Sequence, residues 1–336
     1  MKVCVVGAGA IGGYMAVRIA AAGHEVSVVA RGPHLAAIKA HGMKLIEGDQ
    51  ETICADLIAT DKINELSSQD LVLMALKAHQ IESIVADLAS VMGAETIMVT
   101  LQNGIPWWYF QNFSGPYAGR PVRSVDPRGK LFDGIDPDCL IGCIAYPAAT
   151  IVEPGVIRHI EGNRFPVGEL GGQETERVRR VSTLLEEAGF KSRILDDIRS
   201  EIWLKLWGNL TFNPISALTH STLEDICRFP LTRELSANMM TEAQAIGERL
   251  GAHFRVPMEK RIAGAEAVGP HKTSMLQDVE QGKPQEIEGM LGAVIELAAL
   301  TKIEVPTLKA LYACVSLLDQ TVQTGRVKIK GIQHSE

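Results

Sequence analysis

The sequence has 336 residues, which is long for a single hydrophobic core and favours two domains. Its 46% hydrophobic and 22% charged residues are typical of a globular protein with ample apolar surface to bury. A net charge of −7 without a block of lysine and arginine argues against nucleic acid or an anionic membrane as the main partner. No segment approaches about eighteen uninterrupted apolar residues, and the amino terminus lacks the features of a secretory signal. We therefore expect no membrane span and a cytoplasmic location.

The six cysteines are scattered, contain no Cys-x-x-Cys pair and mostly have apolar neighbours, so we expect reduced thiols in the core. No residue set has the spacing of a zinc site, and no His-Glu-x-x-His occurs, so we expect no metal. The short basic run Lys328-Ile329-Lys330 is expected to be a solvated tail.

The most informative stretch follows a strand-like run from Val3 to Val6 and reads Gly7-Ala8-Gly9-Ala10-Ile11-Gly12. A Gly-x-Gly-x-x-Gly pattern is weak evidence alone. Here an apolar-periodic helix follows it, Gly23 ends that helix, and a second strand runs from Val26 to Val29. These elements make a unit of about thirty residues, the size of a βαβ dinucleotide site.

The glycines of this motif have separate tasks in a dinucleotide site. Gly7 allows the tight turn, Gly9 lets the backbone approach the pyrophosphate, and Gly12 lets the helix pack close to the strand. The diphosphate then meets the N–H groups of the first helical turn, which includes Ala10 and Ile11, at the positive end of the helix dipole. The alternative is a glycine-rich turn in another kind of α/β domain.

Arg31 stands about twenty residues past the motif, where an acidic residue would bind the ribose 2′-OH of NAD. A guanidinium suits a 2′-phosphate and offers nothing special to a bare hydroxyl. The position therefore favours NADP as the cofactor. A solvated surface arginine is the alternative.

Strand-like and helix-like runs continue to alternate, which predicts a mostly parallel sheet covered by helices. One strand ends at Lys77, and a later strand ends at Gln102-Asn103-Gly104. Ligands of such sheets lie outside the carboxyl ends of the strands, so Lys77 and Asn103 are placed to face the nicotinamide end of the cofactor. A solvated lysine and an Asn-Gly turn are the alternatives.

Residues 105–138 are irregular for this fold and begin with the aromatic run Pro106-Trp107-Trp108-Tyr109-Phe110. A long irregular connection usually has a function or is mobile. The aromatic run could be a lid over the substrate, a contact to another subunit or a locally packed loop.

From about residue 196 the pattern is helical almost throughout, with breaks expected at Pro214, Pro230, Pro257, Pro270 and Pro306. We place the domain boundary there. The predicted architecture is an α/β N-terminal Rossmann-type dinucleotide-binding domain over residues 1–195 and an all-α C-terminal domain over residues 196–336.

The first helix of the second domain carries Lys205, Asn209 and Asn213 in a narrow polar strip on an otherwise apolar surface. Such groups need partners when they are buried. They could bind a substrate, or they could be a snorkelling lysine and two water-bridged amides. Further on, Ser274 with Gln277 fits a capping box, and Glu286 fits the first turn of a helix.

The whole chain resembles the ketopantoate reductase (2-dehydropantoate 2-reductase) family. The motifs that carry the resemblance lie in family order over nearly all of the chain: Gly7-Ala8-Gly9-Ala10-Ile11-Gly12-Gly13, Lys77, Gln102-Asn103-Gly104, Lys205 with Asn209 and Asn213, and Ser274-Met275-Leu276-Gln277-Asp278 with Glu286.

This resemblance implies that NADPH delivers a hydride to the C2 carbonyl of a 2-oxo acid. It implies that Lys205 is the general acid and that Glu286 binds and orients the substrate hydroxyl. It further implies that the substrate is held by Asn209, Asn213, Ser274 and Asn103, while Lys77 and Asn103 line the cofactor side.

Three functions stay open. The first is reduction of 2-dehydropantoate to pantoate for pantothenate and coenzyme A biosynthesis. The second is reduction of another branched or aromatic 2-oxo acid, since residues 105–138 are longer than the family leads us to expect. The third is a non-catalytic NADP-binding sensor, against which the presence of both Lys205 and Glu286 argues. A homodimer is a possible assembly.

We predict that Arg31→Ala weakens the preference for NADPH over NADH, because it removes the cation expected beside the 2′-phosphate. The measurement is the ratio of the two dissociation constants in the wild type and in the variant. An unchanged ratio would refute the role of Arg31.

Overall fold

The computed structural model describes residues 1–54 and 56–327, so the basic run at 328–330 lies outside the described residues. The chain forms two compact units. The first contains residues 1–102, 107–121 and 128–198, and the second contains residues 103–106, 122–127 and the chain from Arg199 onward. Two short segments from the first half of the chain therefore belong to the second unit.

The first unit is built on two sheets and five α-helices. Its strands are β1 (Lys2–Val6), β2 (Glu25–Val29), β3 (Met43–Glu47), β4 (Gln50–Cys54), β5 (Ile58–Thr60), β6 (Leu71–Met74), β7 (Ile97–Thr100), β8 (Leu140–Cys143), β9 (Ala148–Glu153), β10 (Val156–Glu161) and β11 (Val167–Glu169). Its helices are α1 (Ala10–Ala21), α2 (Gly32–His41), α3 (Ala78–Ile81), α4 (Lys130–Gly134) and α5 (Glu176–Glu187).

The larger sheet has the strand order β11-β8-β7-β6-β1-β2-β5. All neighbouring pairs are parallel except β11, which runs antiparallel to β8. The central strands read as continuous apolar runs because both faces are covered, and Val3 to Val6 are fully buried. This arrangement confirms the predicted Rossmann-type domain.

A second sheet, with the order β4-β3-β10-β9, was not predicted. Helix α1 contacts strands of both sheets. Gly13 makes this possible on the side of the second sheet: a Cβ there would lie 2.8 Å from Cγ1 of Ile157 and 3.2 Å from Sδ of Met43. The helix that starts at the glycine-rich loop is thus covered on the face where the sequence suggested no partner.

The aromatic run after residue 106 belongs to the core of the first unit. Trp107, Trp108, Tyr109 and Phe110 are all at most 2% exposed. The indole N–H of Trp108 donates a 3.0 Å hydrogen bond to Oγ1 of Thr100. Of the three alternatives for this segment, the structure selects the locally packed one.

The second unit is helical, as predicted. Its helices are α6 (Ile198–Thr219), α7 (Leu223–Arg228), α8 (Pro230–Arg249), α9 (Met258–Ala267), α10 (Ser274–Glu280), α11 (Ala293–Thr301) and α12 (Pro306–Gln323), with a π-helical turn at Glu288–Gly292. The first residue of α6, Ile198, is the last residue of the first unit. Pro230 and Pro306 are the first residues of their helices, and Pro257 directly precedes α9, where a missing N–H is tolerated.

The expected break at Pro214 is wrong, because α6 continues through it to Thr219. A proline inside a helix costs about 3 kcal/mol, since it removes one hydrogen bond and crowds the carbonyl of the residue four positions before it. Leu210, Phe212 and Ile215 are each at most 3% exposed. Burying such side chains gains about 1.5–3 kcal/mol each, so packing outweighs the local penalty.

All six cysteines are free thiols, but the expectation that they lie in the core holds only for Cys4, Cys143 and Cys227, and Cys314 is exposed. Burial raises the pKa of Cys4 to about 12, which makes it unreactive at neutral pH. Over residues 1–54 and 56–327, no helix combines the length and the apolar character needed to cross a membrane. The same residues contain no group of three or more His, Cys, Asp or Glu that could hold a metal ion.

Two glycines inside helices offer a matched test of the packing of α1. Gly13→Ala inserts a methyl group against the second sheet, and we expect it to lower the free energy of unfolding by about 1–3 kcal/mol. Gly264→Ala in α9 meets no atom within 4 Å and should raise it by about 0.5–1 kcal/mol. Urea denaturation of both variants measures the difference, and a Gly13→Ala protein at least as stable as the wild type would contradict the close packing.

Candidate active site

The glycine-rich loop lies between β1 and α1 at the carboxyl edge of the larger sheet. Gly7 has φ +102°, and a Cβ there would lie 3.0 Å from the backbone of Leu76. A Cβ at Gly12 would overlap the carbonyl oxygen of Gly7. By contrast, a Cβ at Gly9 would meet no protein atom within 4 Å, and its φ of −69° is open to any residue. Packing explains Gly7 and Gly12 but not Gly9.

The hydrogen bonds of this loop divide its N–H groups into two sets. Those of Gly7 and Ala8 both donate to the carbonyl of Val29, at 3.2 and 3.0 Å. Gly9 is the N-cap of α1, and no side chain caps the helix there. The N–H groups of Gly9, Ala10 and Ile11 therefore stand at the positive end of the helix without a protein acceptor among the described residues.

Arg31 lies two residues beyond β2 and forms the N-cap of α2. Its side chain is exposed, and no carboxylate of the described residues lies within 4 Å of it. The guanidinium is therefore available to an anionic group in solution at the end of the second strand.

Lys77 follows β6 and begins α3, where its backbone N–H donates to Oε1 of Gln80 at 3.2 Å. Gln102 lies just after β7, and its side chain links the end of β7 to the end of the neighbouring strand β6. Its Nε2 donates to the carbonyls of Met74 and Leu76, at 2.7 and 3.1 Å. The strand ends that the sequence singled out are thus tied together at one edge of the sheet.

In the second unit, a chain of polar contacts joins three predicted site residues. Nζ of Lys205 on α6 donates a 2.7 Å hydrogen bond to Oδ1 of Asn103. Nδ2 of Asn103 in turn donates to Oε2 of Glu286 at 3.3 Å. All three side chains are half-buried. An ammonium group and a carboxylate are thereby held at the two ends of one amide.

Asn103 is held in place by a close approach of two glycines. Gly104 has φ +88°, and a Cβ there would overlap the carbonyl oxygen of Gly289. The N–H of Ile105 donates to that same oxygen at 2.8 Å. Gly289 lies in the π-helical turn, a distortion that is frequent at functional sites. The segment that carries Asn103 is therefore locked onto the turn that follows Glu286.

The two asparagines of the α6 strip differ in their surroundings. Asn213 is 6% exposed, and its Nδ2 lies 3.7 Å from Sδ of Met290, a weak acceptor. Asn209 is half-buried, and its amide makes no hydrogen bond to another described residue. Both amides therefore have hydrogen-bonding capacity that residues 1–54 and 56–327 leave unused.

Two local expectations about α10 and the following helix are corrected. Ser274 is not the cap of α10: the N-cap is Thr273, whose Oγ1 accepts from the N–H of Leu276, because Thr273 has the extended backbone that a cap requires. Ser274 is exposed and makes no hydrogen bond to Lys205, Asn103 or Glu286. Glu286 itself stands one residue before the helical segment that begins at Ile287.

Glu296 is a structural residue of this region that sequence reasoning missed. Its carboxylate on α11 accepts from the N–H groups of Arg123 and Ser124 and from Oγ of Ser124, at 2.7–2.8 Å. This interaction fixes residues 122–127 in the second unit. A single glutamate in a helical pattern reads as a solvated charge, so no signal in the sequence points to it.

Two family models match the chain. The one described as "Ketopantoate reductase PanE/ApbA" matches residues 3–107, and the one described as "Ketopantoate reductase PanE/ApbA C terminal" matches residues 197–319. A curated 2-dehydropantoate 2-reductase from Mesorhizobium japonicum is 49% identical over 319 residues, which cover 95% of this chain and 98% of that protein.

Solved structures agree with these matches. A candidate ketopantoate reductase from Ralstonia solanacearum MolK2 superposes with a TM-score of 0.91 at 36% identity, covering 95% of this chain and 98% of that one. D-mandelate dehydrogenase, solved with NADH and anilino(oxo)acetate, has a TM-score of 0.81 at 19% identity over 96% and 99% of the two chains, a likeness of fold alone. Fold and site define a two-domain protein with a dinucleotide-type loop and a lysine-centred polar site. The chain belongs to the ketopantoate reductase family.

The lock between Gly104 and Gly289 can be tested with a matched glycine. Gly104→Ala imposes both a strained φ and a backbone overlap, so we expect the free energy of unfolding to fall by about 2–5 kcal/mol. Gly251 has φ +87° with no atom within 4 Å of its Cβ position, and Gly251→Ala should lose only about 1–2 kcal/mol. Equal losses in urea denaturation would show that the close approach does not contribute.

Proposed function

We propose that this chain is an NADPH-dependent oxidoreductase that reduces 2-dehydropantoate to pantoate, a step of pantothenate and coenzyme A biosynthesis. The observation that carries the proposal is the chain of contacts from Lys205 through Asn103 to Glu286. It occurs in a protein that is 49% identical to a curated enzyme of that name over nearly all of both chains.

We assign the cofactor to the glycine-rich loop of the first unit. Gly9 supports this, because neither packing nor backbone conformation requires glycine there, whereas a close ligand would. The N–H groups of Gly9, Ala10 and Ile11 would hold the diphosphate, while Gly7 and Gly12 give the loop its tight turn and its close packing. When bound, NADPH supplies the hydride.

The remaining cofactor contacts follow from charge and position. Arg31 faces the 2′-phosphate, since its guanidinium is exposed at the end of β2. Lys77 and Asn103 line the nicotinamide side, as their positions after β6 and β7 suggest.

Lys205 is the general acid of the proposed reaction. Reduction of a carbonyl builds negative charge on its oxygen, and an ammonium group both stabilises that charge and supplies the proton. Asn103 accepts one of the three N–H donors of the ammonium and thereby orients it. Glu286 holds the other side of Asn103 and accepts a hydrogen bond from the substrate hydroxyl.

The amides of Asn209 and Asn213 and the hydroxyl of Ser274 hold the substrate carboxylate and hydroxyl groups. The 3.7 Å contact of Asn213 with a thioether supports this role. A substrate oxygen is a stronger acceptor than that sulfur, so binding improves the hydrogen bonding of the amide.

The alternatives make different demands. The aromatic run that could have lined a pocket for an aromatic 2-oxo acid, Trp107 to Phe110, lies in the core of the first unit. A non-catalytic NADP sensor would not need the Lys205 to Glu286 chain. A cytoplasmic location and a homodimer belong to the proposal as well.

The first experiment measures NADPH oxidation with 2-dehydropantoate beside smaller, larger and aromatic 2-oxo acids under identical conditions. We expect the highest kcat/KM for 2-dehydropantoate. A higher value for another acid would keep the reductase and replace its substrate, and NADPH binding without turnover of any 2-oxo acid would favour the sensor.

Lys205→Met tests the acid. We expect turnover to fall by about 10²–10⁴-fold while the dissociation constant of NADPH stays largely unchanged, because the proton donor acts only in the chemical step. Lys260→Met, at an exposed position of α9, is the control and should keep full turnover. Near-normal turnover in Lys205→Met would remove this lysine from the mechanism.

A further inference from the structure

His34 links the glycine-rich loop to the second sheet. It lies in the first turn of α2, three residues after Arg31, and is half-buried. Its Nε2 is 2.7 Å from the carbonyl oxygen of Ala8, inside the loop. Its Nδ1 accepts a 2.9 Å hydrogen bond from the N–H of Gly155, in the turn between β9 and β10.

These two partners determine the protonation of the imidazole. A backbone N–H can only donate, so Nδ1 carries no proton when it accepts from Gly155. A carbonyl can only accept, so Nε2 carries the proton and donates it to Ala8. The hydrogen bonds at the two nitrogens therefore select the tautomer of His34 that has its proton on Nε2.

The bond to Ala8 orients the peptide group that joins Ala8 to Gly9. In a trans peptide the C=O and the following N–H point in opposite directions. Because His34 holds the carbonyl of Ala8 on its own side, the N–H of Gly9 is turned to the other side. The two preceding N–H groups already donate to Val29. The N–H groups of Gly7 and Ala8 are thus held by the backbone of Val29, whereas the peptide group between Ala8 and Gly9 is held by the side chain of His34.

The turn that carries Gly155 contacts two other elements of the first unit. The carbonyl of Gly155 accepts from the N–H of Lys44 on β3 at 2.9 Å, and a Cβ at Gly155 would lie 3.1 Å from Cβ of Ala37 on α2. The turn that holds Nδ1 is thus attached both to a neighbouring strand and to the helix that carries His34.

We propose that His34 is a positioning residue for the cofactor, which aims the N–H of Gly9 at the pyrophosphate and uses the second sheet as its support. The inference rests on the proposed binding of NADPH. It assigns a task to the second sheet and to a histidine that touches no reacting atom.

Substitution by the two side-chain amides separates the two hydrogen bonds. In His34→Asn the side-chain oxygen takes the place of Nδ1 and keeps the bond to Gly155, but no atom reaches Ala8. In His34→Gln the side-chain nitrogen takes the place of Nε2 and keeps the donor to Ala8. Both side chains are neutral and shorter than or similar in length to histidine, and the melting temperature of each variant shows whether it is folded.

Two dissociation constants are measured on protein without substrate. One is that of NADPH, followed by the fluorescence of the nucleotide. The other is that of adenosine 2′-phosphate, a ligand that has no pyrophosphate. We expect His34→Asn to weaken NADPH binding about three- to tenfold, the effect of one hydrogen bond, and to leave adenosine 2′-phosphate unaffected. His34→Gln should restore most of the affinity for NADPH. In turnover, KM for NADPH should rise in His34→Asn while kcat stays within about twofold.

Three outcomes would overturn the role of His34 while leaving the proposed reductase intact: unchanged NADPH affinity in His34→Asn, equal losses for both ligands, or equal losses in the Asn and Gln variants. If the wild-type protein bound no NADPH, the proposed function and this inference would both fail. The wild-type titration therefore distinguishes the two failures.

Discussion

The approach of helix α1 to the glycine-rich loop is the constraint on which the first unit depends. The helix can begin where it does only because position 12 has no side chain to collide with the carbonyl of Gly7. The same helix must then be covered on its outer face, and Gly13 admits Ile157 and Met43 of the second sheet. The free N–H groups at its start are a by-product of this packing, since a helix leaves its first donors unpaired.

The second unit contains a similar close approach of two backbone segments, at Gly104 and Gly289. Again two backbones meet where a Cβ would not fit, and again the result is a polar group held in a defined place, here the amide of Asn103. Glu296 fixes the neighbouring segment through backbone donors. In both parts of the proposed site a close approach of two main-chain segments is thus combined with a side chain that bonds to the backbone, His34 at the glycine-rich loop and Glu296 beside Asn103.

Much of this could be predicted from sequence, because the strongest signals are local. The apolar run from Val3 to Val6, the glycine motif and the period of α1 specify a βαβ unit within about thirty residues. The strip of Lys205, Asn209 and Asn213 follows from helical geometry alone.

What sequence did not reveal depends on partners distant in the chain. The second sheet pairs Met43–Glu47 with Val156–Glu161, and the intervening residues give no sign of that pairing. The continuation of α6 through Pro214 reflects burial that outweighs a local rule. The N-cap of α10 is Thr273 and not Ser274. Sequence could not distinguish them, because two adjacent hydroxyl residues fit a capping pattern equally well and differ only in backbone conformation. The bond from Lys205 to Asn103 joins residues that belong to separate predicted domains.

Residues 103–106 and 122–127 belong to the second unit, and this affects the order in which the protein can fold during its synthesis. Asn103 and Glu286 are 183 residues apart, so the first leaves the exit tunnel long before the second is made. At about 5–20 residues per second, that interval is roughly ten to forty seconds. During synthesis the larger sheet can form while these two segments still lack their partners, and the second unit becomes complete only when the last third of the polypeptide has emerged. A gene fragment that starts at residue 199 would encode the helices without the amide that orients Lys205.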